Sequence, residues 1–271
     1  VDKDKWDVAY QVSGNNAPLF TATDDATPPN LQSITSRPEV GRGPFGSDIM
    51  VYFGTGQYLG TPDIADTSVQ TFYGIIDADV PVTNGRTGLL EQTVIFQSRE
   101  TFTNTDSGDT FDFDIRVVSD TDIAESNTGW FMDLPDSGER VISTPLLVGN
   151  RLIYVTIVPD STECSGGGYS WLMEVDARNG GELSNAPFVL NNDGLFNLGD
   201  YVDIDGDGTP DHAPGGMKPG DGGFVPTPVR LVEPDGEKEH KYMPSTSGRI
   251  EHVVENPGGS STGRQSWRQV R

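Results

Sequence analysis

The stretch "ISTPLLVGNRLIYVTIVP" (Ile142–Pro159) decides the fold. A short apolar run enters through Ser, Thr and Pro. It breaks at Gly-Asn-Arg and resumes as a longer run of β-branched and aromatic residues. A proline at the head of a strand removes no ladder hydrogen bond, because the ladder has not begun. The sequence "GNR" (Gly149–Arg151) suits a tight hairpin turn. Shortly after, "YSWLMEVDARNGG" (Tyr169–Gly181) reads as a third strand ending in Asp, a turn and glycine. Together these predict three short antiparallel strands forming one unit.

The unit recurs on both sides. Upstream, "TSRPEVG" (Thr35–Gly41) is followed by "DIMVYFGTGQYLG" and then "TFYGIIDADV". Downstream, "VPTPVRLVE" (Val225–Glu233) is followed by "EHKYMPSTSGRIEHVVE". Short antiparallel units repeated along a chain predict β-propeller blades; a β-sandwich is the rival architecture. The "strand, Asp, turn, Gly" ending favours the propeller, since quinoprotein-like blades close in that way. The spacing is irregular, so the units carry insertions. The acidic span 101–139 is expected as one and the Asp/Gly-rich span 191–227 as another. The expected class is therefore all-β: part of a modified quinoprotein-like propeller with loop insertions, occupying 1–271. The 33 glycines and 19 prolines between the apolar runs agree. No long stretch has the 3.6-residue period of a helix.

The chain has 41 acidic and 18 basic residues, a formal charge of -23. Such a surface repels phosphate backbones and anionic lipid, so nucleic acid is not an expected partner. No run of about 18 apolar residues is present, so no membrane-spanning helix is expected. The start "VDKDKWDV" carries neither Met nor a signal peptide, and is expected to be the edge of a piece of a longer protein. Cys164 is the only cysteine and cannot form an internal disulfide. It reads as a loop thiol, open to pairing outside the chain.

The stretch that bears chemistry is Asp203-Ile-Asp205-Gly-Asp207-Gly-Thr-Pro-Asp211. Counted as a calcium loop, Asp203, Asp205 and Asp207 take positions 1, 3 and 5. Gly208 takes the sharp turn at position 6, Thr209 offers a carbonyl at 7, and Asp211 falls at 9. Hard oxygen ligands at alternating spacing wrap a loop round Ca²⁺, and without a cation the carboxylates repel. Position 12 is Pro214 rather than the bidentate Glu of an EF-hand. The last ligand is then water or another residue, with Asp200 and Asp221 as candidates. The expected affinity is on the order of 0.1–1 mM or somewhat tighter. A looser copy precedes it: Asn191, Asp193, Gly194, Leu195, Asn197 and Asp200 fit positions 3, 5, 6, 7, 9 and 12, but position 1 is Val189, which cannot ligate.

Elsewhere the signals are structural. "GTGQYLG" (Gly54–Gly60) lacks the spacing and the βαβ setting of a dinucleotide fingerprint and reads as a tight blade turn. His212, His240 and His252 lie far apart in polar contexts and read as surface or turn residues. The aromatics of "VYFGTGQYL" and "TFYGI" read as core. No nucleophile elbow, zinc-protease or P-loop pattern occurs.

Several segments resemble one family. "APLFTATD" (Ala17–Asp24), "ITSRPEVGR" (Ile34–Arg42), "MVYFGTGQYLG" (Met50–Gly60), "DTSVQTFYGI" (Asp66–Ile75), "WLMEVDARNGGEL" (Trp171–Leu183) and "STGRQSWRQVR" (Ser261–Arg271) are similar, in order, to the C-terminal propeller of PilY-type proteins. These are type IV pilus biogenesis factors and tip-associated adhesins related to the neisserial PilC proteins. The resemblance implies a calcium-binding, non-enzymatic module at the pilus tip or outer membrane. Its expected partners are minor pilins of the tip complex, a host or abiotic surface, and the remainder of a longer chain. The family's regulatory calcium loop would lie before Val1, so its role is not carried to Asp203–Asp211. A quinoprotein-like propeller enzyme and a structural component of filaments or the cell surface are the alternatives. Fold alone does not choose among them.

Overall fold

A computed structural model describes residues 9–46, 48–160, 167–220 and 222–258. Cys164, Asp221 and the closing Ser261–Arg271 lie outside the described residues. Among those described there is no α-helix, only 3-10 turns at Thr61–Ala65, Gly85–Gly88 and Leu198–Asp200.

A small hairpin opens the chain, β1 (Tyr10–Val12) with β2 (Asn15–Ala17). The first repeated unit is β3 (Glu39–Arg42), β4 (Ile49–Gly54) and β5 (Thr71–Asp77), consecutive neighbours in one antiparallel sheet. The chain then leaves this sheet and forms β6 (Leu90–Gln92), a hairpin of β7 (Val94–Thr103) and β8 (Thr110–Val118), and β9 (Gly129–Asp133). β9 pairs antiparallel with β5, and β6 adds parallel to β9 at the edge. The second unit is β10 (Leu146–Val148), β11 (Arg151–Pro159) and β12 (Gly168–Asp176). After a long excursion, β13 (Gly216–Met217) pairs with β12 and, on its other side, with β8. The third unit is β14 (Val229–Val232), β15 (Glu239–Pro244) and β16 (Ile250–Glu255).

The three repeats are therefore three blades. Pro38, Pro145 and Pro228 each stand immediately before the first strand of a blade, where no ladder N–H is required. The β10–β11 turn is a two-residue loop, since Val148 faces Arg151, and Gly149 takes φ +61. The third blade has a full third strand, β16, in the tail of its repeat.

The span 101–139, expected as one insertion, has two fates. Its first part completes the β7–β8 hairpin, which the structure attaches to the second blade through β13. Its second part holds β9, with Trp130 and Met132 fully buried, as an integral strand of the first blade. Alternating Asp and Phe at the start of β8 mark a half-exposed ribbon. The apolar run Gly129–Asp133 is a blade strand covered on both faces. The Asp/Gly-rich span 191–227 leaves after the second blade's third strand and re-enters a sheet at β13.

Blade strands are covered on both faces, which is why β11 reads as a continuous apolar run rather than an alternating one. Leu152 and Tyr154 face the first blade, joining Met50, Tyr52, Phe72, Trp130 and Met132 in one cluster. Ile153 and Val155 face the other way, with Met243 and Val253 of the third blade and Ile115 and Val117 of β8. The outer face of the first blade, with Phe53, Tyr73 and Phe131, is capped by Phe20 and Ala22.

Trp130 joins the first two blades. Its Nε1 donates to the carbonyl of Ala177 (3.1 Å), in the turn that ends the second blade's third strand. Glycine is required on both sides of the ring. A Cβ on Gly74 would lie 2.5 Å from Trp130, and one on Gly180, which has φ +76, would lie 2.4 Å from it.

Between the second and third blades sits a largely buried ionic cluster, whose Arg151 and Arg230 line a cavity. Glu174, Glu239, Glu255 and Lys241 are fully buried and Arg151 nearly so. Arg151 reaches Glu174 at 3.1 Å and also contacts Glu239, while Lys241 pairs with Glu174, Glu239 and Glu255. Arg230 adds a third cation against Glu239. Three carboxylates thus face three cations, the condition under which charges tolerate burial.

Candidate metal loop and its setting

The Asp203–Asp211 loop is pinched at its neck. Val202 and His212 exchange backbone hydrogen bonds of 2.9 and 3.2 Å. His212 is held by Glu182, whose Oε2 lies 2.8 Å from Nδ1 and whose Oε1 accepts from the Ala213 N–H at 2.6 Å. Glu182 consequently raises the His212 pKa. These contacts tie an acidic surface loop to the end of the second blade.

Inside the loop the aspartates organise the backbone. Asp203 accepts from the N–H groups of Gly206 (2.7 Å) and Gly208 (2.8 Å). Asp205 accepts from the Asp207 N–H, and Asp207 from the Thr209 N–H. Gly206 and Gly208 have φ +77 and +90, conformations that glycine adopts without the Cβ penalty. The hydrogen bond from Gly208 leads the effects that lower the Asp203 pKa.

Asp203, Asp205 and Asp207 are exposed, and each offers a carboxylate oxygen within 4.8 Å of the others. Oxygens about 2.4 Å from a central Ca²⁺ lie up to about 5 Å apart, so this donor set fits a hard divalent cation in size and chemistry. Asp211 stands apart from the trio, with its carboxylate 3.7 Å from Nε2 of His212.

The Asn191–Asp200 loop folds round itself. Asp193 accepts from the side-chain amides of Asn191 and Asn197, both at 3.0 Å, and from the Leu195 N–H at 2.7 Å. Asn197 caps the 3-10 turn through Gly199. Asp200 is fully buried and accepts from the N–H groups of Leu190 (2.7 Å), Asn197 (3.2 Å) and Asn191 (3.4 Å). Burial pushes its pKa up to about 6. Four of the five side chains and backbones counted for this site, those of Asn191, Asp193, Asn197 and Asp200, do come together. They meet as hydrogen-bond partners, while Leu195 is exposed and supplies only its N–H.

The "GTGQYLG" turn is a packed corner. Gly56 takes φ +124, and a Cβ there would lie 2.4 Å from Arg140. Asp63 accepts from the N–H groups of Leu59 and Gly60, and Arg140 donates to the carbonyls of Gln57, Asp63 and Asp66. The histidines hold one arrangement the sequence left unseen. His240 and His252 meet on the third blade, because β15 and β16 are joined by a short turn that folds positions 12 apart together.

The fold and these loops define a class, a set of β-propeller blades with an acidic loop excursion. A family model described as the PilY1 beta-propeller domain matches residues 3–107. A type IV pilus biogenesis factor PilY1 homolog from Xylella fastidiosa is 31% identical over the whole chain. The type IV pilus biogenesis factor PilY1 of Pseudomonas aeruginosa is 28% identical over 97% of it. The chain spans only 19% and 23% of the lengths of these two relatives. The crystal structure of the Pseudomonas aeruginosa PilY1 C-terminal domain superposes with a TM-score of 0.72 and 25% identity, over 90% of this chain and 48% of that one. The chain belongs to the PilY1-type family of type IV pilus factors.

Proposed function

We propose that this chain is the propeller module of a type IV pilus biogenesis factor, acting at the cell surface near the pilus tip as a non-enzymatic scaffold for assembly and adhesion. The observation that carries the reading is the agreement of fold and sequence with PilY1 proteins across nearly the whole chain. The partners in this reading are minor pilins of the tip complex, a host or abiotic surface, and further segments of a longer protein. The three carboxylates and the lysine of the ionic cluster are fully buried between two blades and paired with one another, which supports a structural role for them.

Calcium belongs to the same reading. Asp203, Asp205 and Asp207 would hold Ca²⁺, and the ion would offset two of the three negative charges that the loop geometry brings together. Ion bound only to the folded state raises stability, by about 2.7 kcal/mol at a hundred times Kd. Calcium therefore raises the melting temperature and EGTA returns it, whereas the Asp205→Ala/Asp207→Ala protein shows no response. A full calcium response in that variant refutes the site. Gold labelling of the native protein tests the location, and label absent from pili and cell surface alike refutes the pilus assignment.

A further inference from the structure

The outward face of the third blade carries a cluster that the pilus reading does not use. In register, Tyr242 stands opposite His252 and His240 opposite Val254, so both histidines share a face. Nδ1 of His240 lies 2.9 Å from Nε2 of His252. The other nitrogen of His240, Nε2, lies 2.8 Å from Glu233 Oε1. Tyr242 stacks on His252 with centroids 4.6 Å apart. Glu233, His240 and His252 line a cavity of about 560 Å³ together with Phe111, Phe113 and Met217.

Glu233 decides the tautomer of His240. A carboxylate accepts, so Nε2 carries the proton and Nδ1 presents a lone pair towards His252. Carboxylate, imidazole and open nitrogen in that order is how metal-binding histidines are oriented. The spacing also suits a metal: with bonds of about 2.0–2.1 Å, two cis nitrogens lie about 2.9 Å apart at a right angle and about 3.3 Å apart at the tetrahedral angle. The observed separation is that of the hydrogen bond between the two rings, so a turn of one ring brings both nitrogens to one ion, and among the divalent first-row metals Cu²⁺ is held most tightly by nitrogen ligands.

We propose that His240 Nδ1 and His252 Nε2 are the protein ligands of a transition-metal site that takes Cu²⁺. Glu233 acts as the positioning residue and water fills the remaining positions. In the free protein the two nitrogens share one hydrogen bond, donated by His252. Metal replaces it when His252 moves its proton to Nδ1 and its exposed ring turns to bring both lone pairs to one point. The pair releases no net proton and no electron is transferred. The ligands are imidazoles, so the site is chemically distinct from the all-oxygen Asp203–Asp207 trio.

Titrating the chain with Cu²⁺ in excess Ca²⁺, followed by electron paramagnetic resonance, tests the site. The expected result is one Cu²⁺ per chain with hyperfine coupling from two nitrogens. His240→Gln and His252→Gln each weaken binding at least about tenfold and remove one nitrogen. Glu233→Gln weakens it by about 10-fold to 100-fold with both nitrogens retained. His212→Gln changes nothing. Coupling to no nitrogen, binding unaltered in His252→Gln, or binding lost in His212→Gln overturns the proposal. His252 is exposed, so that variant decides the question even if His240→Gln does not fold.

Discussion

Replacing Gly180 by alanine tests the joint between the first two blades. The residue has φ +76, and an added Cβ would sit 2.4 Å from the ring of Trp130. The backbone conformation costs a non-glycine residue about 1–2 kcal/mol. Overpacking against a ring that is itself fully buried adds about 1–3 kcal/mol. Trp130 has nowhere to retreat, because a Cβ-sized gap is equally lacking at Gly74 on its own sheet. The Gly180→Ala protein should therefore lose about 2–5 kcal/mol, which for a chain of this size lowers the melting temperature by about 5–15 °C. Trp130→Ala alone should cost about 3–5 kcal/mol. In the double variant the collision is gone and only the backbone cost at position 180 persists. The two changes together should then be less harmful than their sum by about 1–3 kcal/mol, a coupling that scanning calorimetry on the four proteins resolves. A Gly180→Ala protein within about 0.5 kcal/mol of wild type, or strictly additive losses, refutes the packing of Trp130 across this joint.

Two further perturbations address buried charge. Lys241→Met leaves Glu174, Glu239 and Glu255 with only the two arginines, and should cost about 3–5 kcal/mol in urea melts at pH 7. The loss should shrink at pH 5, where a stranded glutamate accepts a proton, and a loss under about 1 kcal/mol at pH 7 contradicts the ion cluster. Asp200 has a folded pKa of about 6, above the ordinary carboxylate value near 4, so the folded state binds its proton more tightly. Its contribution to stability is fully present below about pH 4 and declines as pH rises to about 6. Asp200→Asn, melted in EGTA, should be most destabilised relative to wild type at pH 4 and less so at pH 7. A difference constant across that range contradicts the buried carboxylate.

What the sequence showed of the fold is local. A proline before each first strand, a glycine turn and an apolar run are chemical features of adjacent residues, and they located the three meanders. β9 was hidden because 51 residues separate Asp77, the end of β5, from Gly129, the start of β9. Its run "GWFMD" looks like any short apolar patch inside an acidic span until β5 is beside it. Arg116 was equally illegible: a charged residue in β8 is fully buried because Glu139 forms two hydrogen bonds to it, at 2.7 and 2.9 Å, while Trp171 covers its guanidinium at 3.9 Å. That environment is assembled from three distant segments, and no window of sequence contains it. The histidine pair follows the same rule, since only the β15–β16 register joins positions 240 and 252.

The two acidic loops show how far composition goes towards chemistry. Both alternate Asp or Asn with small residues, and both bend round their own side chains. In the loop from Asn191 to Asp200 the donors are carboxamides and backbone N–H groups, and they already occupy Asp193 and Asp200. A cation entering there would have to displace three hydrogen bonds at Asp193 and draw Asp200 out of full burial. In the loop from Asp203 to Asp207 no carboxamide is present, and Asp205 and Asp207 each accept a single backbone N–H. Three exposed carboxylates are left facing one another within 4.8 Å, a repulsion that a divalent cation relieves. Asn rather than Asp at 191 and 197 therefore leaves the first loop with its carboxylates already partnered, whereas the second keeps three carboxylates close together. Any calcium-dependent stabilisation of this chain should accordingly arise from the second loop and persist in an Asp193→Asn protein.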